Sequence, residues 1–320
     1  MVSGFTRLAL GGLFCAVLGL SAAADTLKPP VVELPAESPG ELSAELVTVR
    51  KAEIDLVGRM VRAPESSHRI AIVLHDTLGS YDDPLVRTLQ NTFAKRGISS
   101  VAINLSLNQT RRIAPLDCGV EHAHRHEDAL DEIRLWLDWL TAQGWGPAIL
   151  SGVGRGGAQI AWYLAKEYES RVAAAILLGP NGLTPAQADA DYRARYEAGL
   201  AALLTRLAKL PPDAVVPDTP FLNCGAVAAT KASIVSYYGV QPMRDTPTAL
   251  ADIKTPTLAL TPGLTRDAPN STTVERLEAL KNPLVIVRTI EDADAQFSFK
   301  AGDEMAEAID AYLRSMFPTP

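Results

Sequence analysis

The chain has no excess of positive charge, since 30 lysine and arginine residues stand against 37 aspartate and glutamate residues, for a formal net charge of −7. This mild acidity argues against nucleic acid or an anionic membrane surface as a main partner. The chain also lacks a repeat period, and no low-complexity tract follows its start. Its 320 residues, 47% hydrophobic and 21% charged, suffice for one large α/β domain or two small ones with a sizeable core.

Histidine is missing from the whole later part of the sequence. The five histidines all precede residue 127; they are His68, His75, His122, His124 and His126. Imidazole is the commonest general base in enzymes because its pKa lies near neutrality. The sequence therefore excludes a histidine base from any site built by residues after 126.

The first residues have the pattern of a secretory signal peptide. Arg7 supplies the one positive charge, Leu8 to Leu20 form an apolar run, and Ala22 to Ala24 offer a cleavage site before Asp25. The apolar run is short for a membrane span, which disfavours a permanent anchor. We expect a signal peptide over residues 1–24 and a periplasmic or secreted protein without a stable membrane anchor.

Cysteine is equally scarce, with three residues in the chain. Cys15 lies in the expected signal peptide, and Phe14 stands before it where a lipoprotein signal requires a small residue. The mature chain would keep Cys118 and Cys224. In an oxidising compartment such a pair is more often a disulfide than a reactive site. We therefore predict a Cys118–Cys224 bridge.

Apolar runs and helical patterns alternate along most of the chain. Residues 25–45 are proline-rich and are expected to be an extended lead-in, and Leu46 to Val61 predicts a hairpin of two edge strands. Further strands are predicted at Arg69–Leu74, Ser99–Leu105, Pro147–Leu150, Val172–Leu178, Thr257–Leu260 and Leu284–Val287. Helices are predicted at Asp83–Arg96, His126–Leu140, from Ala158 onwards, and at Ala301–Met316. This alternation is typical of a doubly wound, mostly parallel sheet over residues 46–320.

A break in this alternation follows Gly179-Pro180-Asn181. Pro185 to Leu210 is a charged, alanine-rich helical stretch, and Phe221 to Tyr238 contains Cys224 and a further short helix. An insertion between late strands lies over the carboxyl edge of a parallel sheet. We predict a helical cap insertion at about residues 183–240.

The stretch PAILSGVGRGGAQI, Pro147 to Ile160, reads as a strand, a glycine-dense turn and a helix. In α/β-hydrolases this unit is G-x-S-x-G, and its serine is the nucleophile. Here the same frame is Gly152-Val153-Gly154-Arg155-Gly156, so a glycine stands at the nucleophile position.

The chain resembles the α/β-hydrolase superfamily over roughly Leu46 to its C-terminus, and exported bacterial members in particular. Three stretches carry the resemblance: Cys118-Gly-Val-Glu-His-Ala-His-Arg-His-Glu-Asp, the Gly-Arg-Gly-Gly turn, and Ser236-Tyr-Tyr through Asp245-Thr-Pro247. The resemblance implies an α/β-hydrolase fold with a helical cap.

Residue by residue, the resemblance implies a degenerate catalytic triad. The nucleophile position is Gly154. The segment that usually carries the histidine reads Ala293-Asp294-Ala295-Gln296-Phe297, which places Ala295 at the base. Asp267 is the candidate acid, although its spacing from Pro269 differs from the family pattern by about one residue. The family order of nucleophile, acid and histidine also requires a late histidine, and the chain has none.

The oxyanion loop is altered as well. His75 stands where the family has histidine before glycine, but Asp76 replaces the glycine. A carboxylate has the wrong sign beside a developing oxyanion, because an oxyanion hole needs donors. His75 is expected to be a buried, hydrogen-bonded loop residue, with a His75–Asp76 polar site for ligand binding as the alternative. Arg155 completes the candidate ligand-binding set, because it lies at a helix N-terminus that can attract an anion. Ser151 and Ser80 are the nearest spare hydroxyls, and a structural role is expected for a serine that ends a buried strand.

Two further patterns suggest a cofactor or a metal. His122, His124 and His126 alternate beside Glu121 and Glu127, but the spacing matches no strong zinc signature. We expect a structural role and no metal, with metal binding kept as an alternative. The elbow also satisfies G-x-G-x-x-G, yet no acidic residue ends the next strand as a dinucleotide site requires, so no cofactor is expected.

These observations favour an exported pseudohydrolase that binds a small ligand or an envelope protein. The alternative is an active, esterase-like hydrolase with a non-standard catalytic site, which would draw on His75, Asp76, Asp267 or the histidines at 122–126.

Overall fold

The computed structural model describes residues 1, 32–34, 42–64, 68–166, 168–182, 184–265, 271–298 and 300–318. The predicted signal peptide after Met1, the candidate acid Asp267 and most of the proline-rich lead-in lie outside these residues. Within the described part, no helix combines the length and the hydropathy that a membrane span requires.

Nine of the described strands form one sheet, in the order β1-β2-β3-β5-β4-β6-β7-β10-β11. Strands β1, β2 and β3 pair antiparallel, and β3 joins β5 antiparallel. All pairs from β5 to β11 are parallel. The strands are β1 Val32–Leu34, β2 Ala44–Lys51, β3 Ile54–Val61, β4 Ile70–Leu74, β5 Ser99–Ile103, β6 Ala148–Val153, β7 Val172–Leu178, β10 Thr257–Pro262 and β11 Val285–Ile290, while β8 Val215–Phe221 and β9 Cys224–Thr230 form a separate antiparallel hairpin.

Helices cover both faces of the sheet. The described helices are α1 Pro84–Ala94, α2 Asp128–Ala142, α3 Arg155–Lys166, α4 Pro185–Tyr196, α5 Leu200–Leu207, α6 Lys231–Tyr238, α7 Thr246–Leu250, α8 Ser271–Glu278 and α9 Lys300–Met316, with 3₁₀ turns at Pro242–Arg244 and Gly263–Thr265. The side chains of β4, IAIVL, are buried throughout, as expected for a strand with helices on both sides. Trp136 of α2 packs on one face and Phe93 of α1 on the other.

The predicted hairpin and the six predicted parallel strands are confirmed, each to within a few residues. The hairpin is not a pair of edge strands, however. Strand β1 covers β2, and β3 is an interior strand because it pairs with β5. The edge prediction was wrong because the partner β1 is only three residues long and gives no periodic signal in a proline-rich segment.

The segment between residues 184 and 240, here called the cap segment, contains α4, α5, the β8–β9 hairpin and α6. The single helical stretch predicted at Pro185–Leu210 is two helices, because Glu197 adopts a left-handed φ of 53° and ends the first. The hairpin was missed because Pro217 and Pro220 lie within β8, and proline usually argues against a strand.

Candidate functional site

The candidate site lies where the strand order reverses. The connection from β4 runs to β5 on one side and the connection from β6 runs to β7 on the other, so the two diverge between the carboxyl ends of β4 and β6. In open α/β sheets this switch point is where ligands bind. The loop after β4 begins with His75 and Asp76, and the turn after β6 is Gly154.

Gly154 joins β6 to α3 with a positive φ of 51°. A Cβ atom at this position would lie 2.3 Å from Asp76 Oδ1 and 2.4 Å from Asp76 Cγ. Both separations are far below van der Waals contact. The carboxylate of Asp76 therefore occupies the space into which a nucleophile side chain at position 154 would project.

Asp76 also accepts the hydrogen bond of a backbone N–H in the turn. The backbone N–H of Arg155 donates to Asp76 Oδ1 over 2.8 Å, and the Thr77 hydroxyl donates to the same oxygen over 3.2 Å. In α/β-hydrolases the N–H of the residue after the nucleophile is half of the oxyanion hole. Here that donor already binds a negative charge, so a developing oxyanion would be repelled.

His75 is buried, and the protein uses both of its ring nitrogens. Nε2 accepts from the Leu105 N–H over 3.2 Å and lies 2.7 Å from Arg112 Nη2, which can only donate. The ring proton is therefore on Nδ1, which donates to the Asp76 carbonyl over 2.6 Å. Burial and the Arg112 charge lower the pKa of His75 to about 3. The ring is a neutral support for the Asp76 loop, and its role in ligand binding stays a prediction.

Ala295 shares a cavity of about 200 Å³ with Gly154 and Asp76. The two degenerate triad positions therefore face the same space, although the alanine has no group that could move a proton. The third position, Asp267, lies outside the described residues.

The spare hydroxyls do not compensate for Gly154. Ser151 is fully buried within β6, and its Oγ has no hydrogen-bond partner among the described residues. Ser80 is buried in the loop after β4, where its Oγ accepts from the Asp82 N–H over 3.2 Å.

The three alternating histidines form a buried row beneath the cap segment. His122 Nδ1 lies 3.1 Å from His124 Nε2, and His124 Nδ1 lies 2.9 Å from the Tyr237 hydroxyl. Burial, with the neighbouring His122, lowers the pKa of His124 to about 3, and burial lowers the pKa of His122 as well. No group of three or more His, Cys, Asp or Glu side chains is placed to hold a metal in the described part of the chain.

A disulfide joins Cys118 to Cys224 with a Cα–Cα distance of 5.7 Å, so the predicted pairing is confirmed. It connects the loop before α2 to the first residue of β9. The same loop pairs with this hairpin through backbone bonds, since the His122 N–H donates to the Ala228 carbonyl and the Thr230 N–H donates to the His122 carbonyl. The cap segment is thus tied to the sheet domain at two adjacent points.

A larger cavity of about 270 Å³ lies between the cap segment and the carboxyl ends of β6 and β7. Of the three residues predicted to bind a ligand, Arg155 lines this cavity, and His75 and Asp76 are not among its lining residues. Arg244, His126 and Tyr237 line it as well. Sequence reasoning missed Arg244 as a site residue. Its signal was present, because Ser236-Tyr-Tyr through Pro247 is one of the stretches that carry the family resemblance.

A parallel sheet with a glycine elbow at its switch point and a cap insertion over its carboxyl edge defines a protein of the α/β-hydrolase architecture. No protein family model matches the chain, and no curated protein matches it. Solved structures do. Est1E from Butyrivibrio proteoclasticus is similar at 15% identity, over 86% of this chain and 99% of its own, with a TM-score of 0.62.

Two further structures show the same likeness. A soluble variant of the Saccharomyces cerevisiae monoglyceride lipase, in complex with a substrate analog, is 11% identical over 89% of this chain and 100% of its own, with a TM-score of 0.61. XC6422 from Xanthomonas campestris, an α/β serine hydrolase without a lid, is 14% identical over 90% and 100%, with a TM-score of 0.54. The chain therefore has the α/β-hydrolase fold, and the predicted fold class is confirmed. At such low sequence identity the similarity establishes the fold only, and the activity has to be argued from the residues of the site.

Proposed function

We propose that this protein is an exported pseudohydrolase that binds a small ligand beneath its cap segment. The contact between Asp76 and Gly154 carries the proposal. The carboxylate fills the nucleophile's space and takes the oxyanion donor, so two requirements of acyl transfer are lost to one side chain. The alanine at position 295 and the absence of histidine after residue 126 support the same conclusion. An envelope protein is the alternative occupant, and it would co-purify with the chain.

The purified protein is expected to hydrolyse short- and medium-chain p-nitrophenyl esters no faster than buffer alone. The physical reason is that positions 154 and 295, which line the same cavity, carry neither an attacking hydroxyl nor a histidine base. The measurement is release of p-nitrophenolate, with an active esterase of the same fold assayed in parallel.

Turnover that survives purification would contradict the proposal. The Asp76→Ala variant then identifies the source. Turnover that disappears in this variant would favour the alternative of an active hydrolase with a non-standard site at Asp76, whereas turnover that persists would point to a contaminant or to another site.

Export is supported by the N-terminal pattern and by the Cys118–Cys224 bridge, because structural disulfides persist in oxidising compartments. Expression of the full chain in a bacterium with a periplasm is expected to yield a periplasmic protein whose mass corresponds to a start at Asp25. Retention of residues 1–24 in a cytoplasmic fraction would contradict it.

A further inference from the structure

The cavity beneath the cap segment contains positive charge that its own walls do not neutralise. Arg155 is fixed there by two contacts: its Nε donates to the Thr77 hydroxyl over 2.9 Å, and its guanidinium lies 5.3 Å from the centre of the Tyr237 ring. Neither contact is with a carboxylate, and the nearest negative charge on this side is Asp76, to which the Thr77 hydroxyl in turn donates. Within the described residues no carboxylate forms an ion pair with Arg155.

Arg244 lines the same cavity from the 3₁₀ turn Pro242–Arg244. Its Nη1 donates to the Ser236 carbonyl over 2.9 Å, while its Nε is buried without a hydrogen-bond partner in the described part of the chain. Burial, and then repulsion from Arg155, lower the pKa of Arg244 to about 10, and the Glu127 carboxylate opposes this shift only in part. Two guanidinium groups that line one cavity and repel each other are costly unless an anion binds near them.

The other arginines of the cavity do not need such a ligand. Arg195 lies 3.7 Å from Asp191, and Arg276 forms a two-pronged ion pair with Asp245. In each pair the two charges neutralise each other. Arg155 and Arg244 therefore leave the cavity with a net positive charge, in a protein whose overall charge is −7.

The rest of the wall suits the flat apolar body of a ligand. Tyr192 and Tyr196 donate their hydroxyls to the backbone carbonyls of Pro220 and Leu222, which turns the polar ends away from the cavity.

His126 is buried and stacks on Tyr237, with the rings 5.1 Å apart and 8° from parallel. Both of its ring nitrogens lack a partner among the described residues, and burial together with Arg155 and Arg244 holds its pKa well below the usual range. A neutral imidazole can still donate one hydrogen bond to an anion.

We propose that this cavity binds a small aromatic carboxylate, with the carboxylate between Arg155 and Arg244 and the ring against the tyrosine faces. A volume of about 270 Å³ accommodates one ring with a short acidic arm. Arginine is suited to this role because its planar fork matches a carboxylate. The inference deepens the proposed function and rests on it, since an enzyme would use this space for its substrate.

The test is calorimetric titration of the intact protein with trans-cinnamate and with its neutral isostere cinnamamide. Cinnamate is expected to bind at least about tenfold more tightly than the amide, because a hydrogen bond to a charged group contributes roughly 1.5–3 kcal/mol. Arg244→Met should reduce the affinity for cinnamate by at least about tenfold and leave the weak binding of the amide unchanged. Raising the ionic strength should weaken cinnamate selectively.

The matched control is Arg193→Met. Arg193 lies on α4 with its side chain 61% exposed and pairs with Asp189, and it does not line the cavity. It should bind cinnamate as the wild type does. Equal affinity for cinnamate and cinnamamide would overturn the anion preference while leaving ligand binding intact. Binding of neither compound would overturn the inference. Turnover of p-nitrophenyl cinnamate would instead overturn the proposed function.

Discussion

Three substitutions together, Asp76→Gly, Gly154→Ser and Ala295→His, are expected to produce ester hydrolysis that the wild type lacks. The serine supplies the nucleophile and the histidine its base, and removal of the Asp76 carboxylate frees both the space and the Arg155 N–H for the oxyanion. A positioned general base contributes about 10²–10⁴-fold. We therefore expect p-nitrophenyl butyrate turnover at least about a hundredfold above the wild-type background.

The decisive comparison is the pair Gly154→Ser and Ala295→His with Asp76 retained. That variant should stay inactive and should be less stable, since the serine Cβ would lie 2.3 Å from the Asp76 carboxylate. A fluorophosphonate probe should label the triple variant and leave the double variant unlabelled. Equal activity in the two variants would contradict the assigned role of Asp76.

A stability control separates the clash from the backbone conformation. Gly144→Ala places a Cβ at a positive φ of 82° with nothing within 4 Å, so its cost reports the left-handed conformation alone, about 1–2 kcal/mol. Gly154→Ala should cost about 1–3 kcal/mol more, because overpacking adds to the same backbone term. In an Asp76→Ala background the two glycine substitutions should cost the same, as measured by urea unfolding.

The sequence predicts the sheet well because its strands are local signals. A run such as Ile70–Leu74 is apolar at every position, short and rich in β-branched residues, which favours a strand covered on both faces. The degenerate nucleophile is equally local, since a glycine at 154 is read directly from the glycine elbow. The absence of histidine after residue 126 is likewise read from the sequence alone.

The contacts that define the site are not local. Asp76 meets Gly154 because β4 and β6 pair in a register that aligns Leu74 with Gly152. Sequence reasoning identified the carboxylate as having the wrong sign for an oxyanion loop, but it could not place the carboxylate inside the nucleophile's own space. Arg155 and Arg244 likewise converge only because the cap segment returns over the carboxyl edge of the sheet. The fold is therefore predictable from apolar periodicity, whereas the charge balance of a cavity depends on long-range packing.

Loss of the Cys118–Cys224 bridge is expected to lower the free energy of unfolding by about 4.7 kcal/mol in the chain-entropy model, because the bridge closes a loop of about 100 residues. The paired residues are 106 positions apart. For a chain of this size the melting temperature should fall by roughly 10 °C.

The measurement is thermal unfolding of the Cys118→Ala, Cys224→Ala double variant beside the wild type, with and without dithiothreitol. Cys118 is exposed at the surface, so the reductant should bring the wild type to the stability of the variant and leave the variant itself unchanged. If reduction leaves the wild-type melting temperature in place, the backbone bonds of His122 already hold the loop to the hairpin, and the bridge adds no stability of its own.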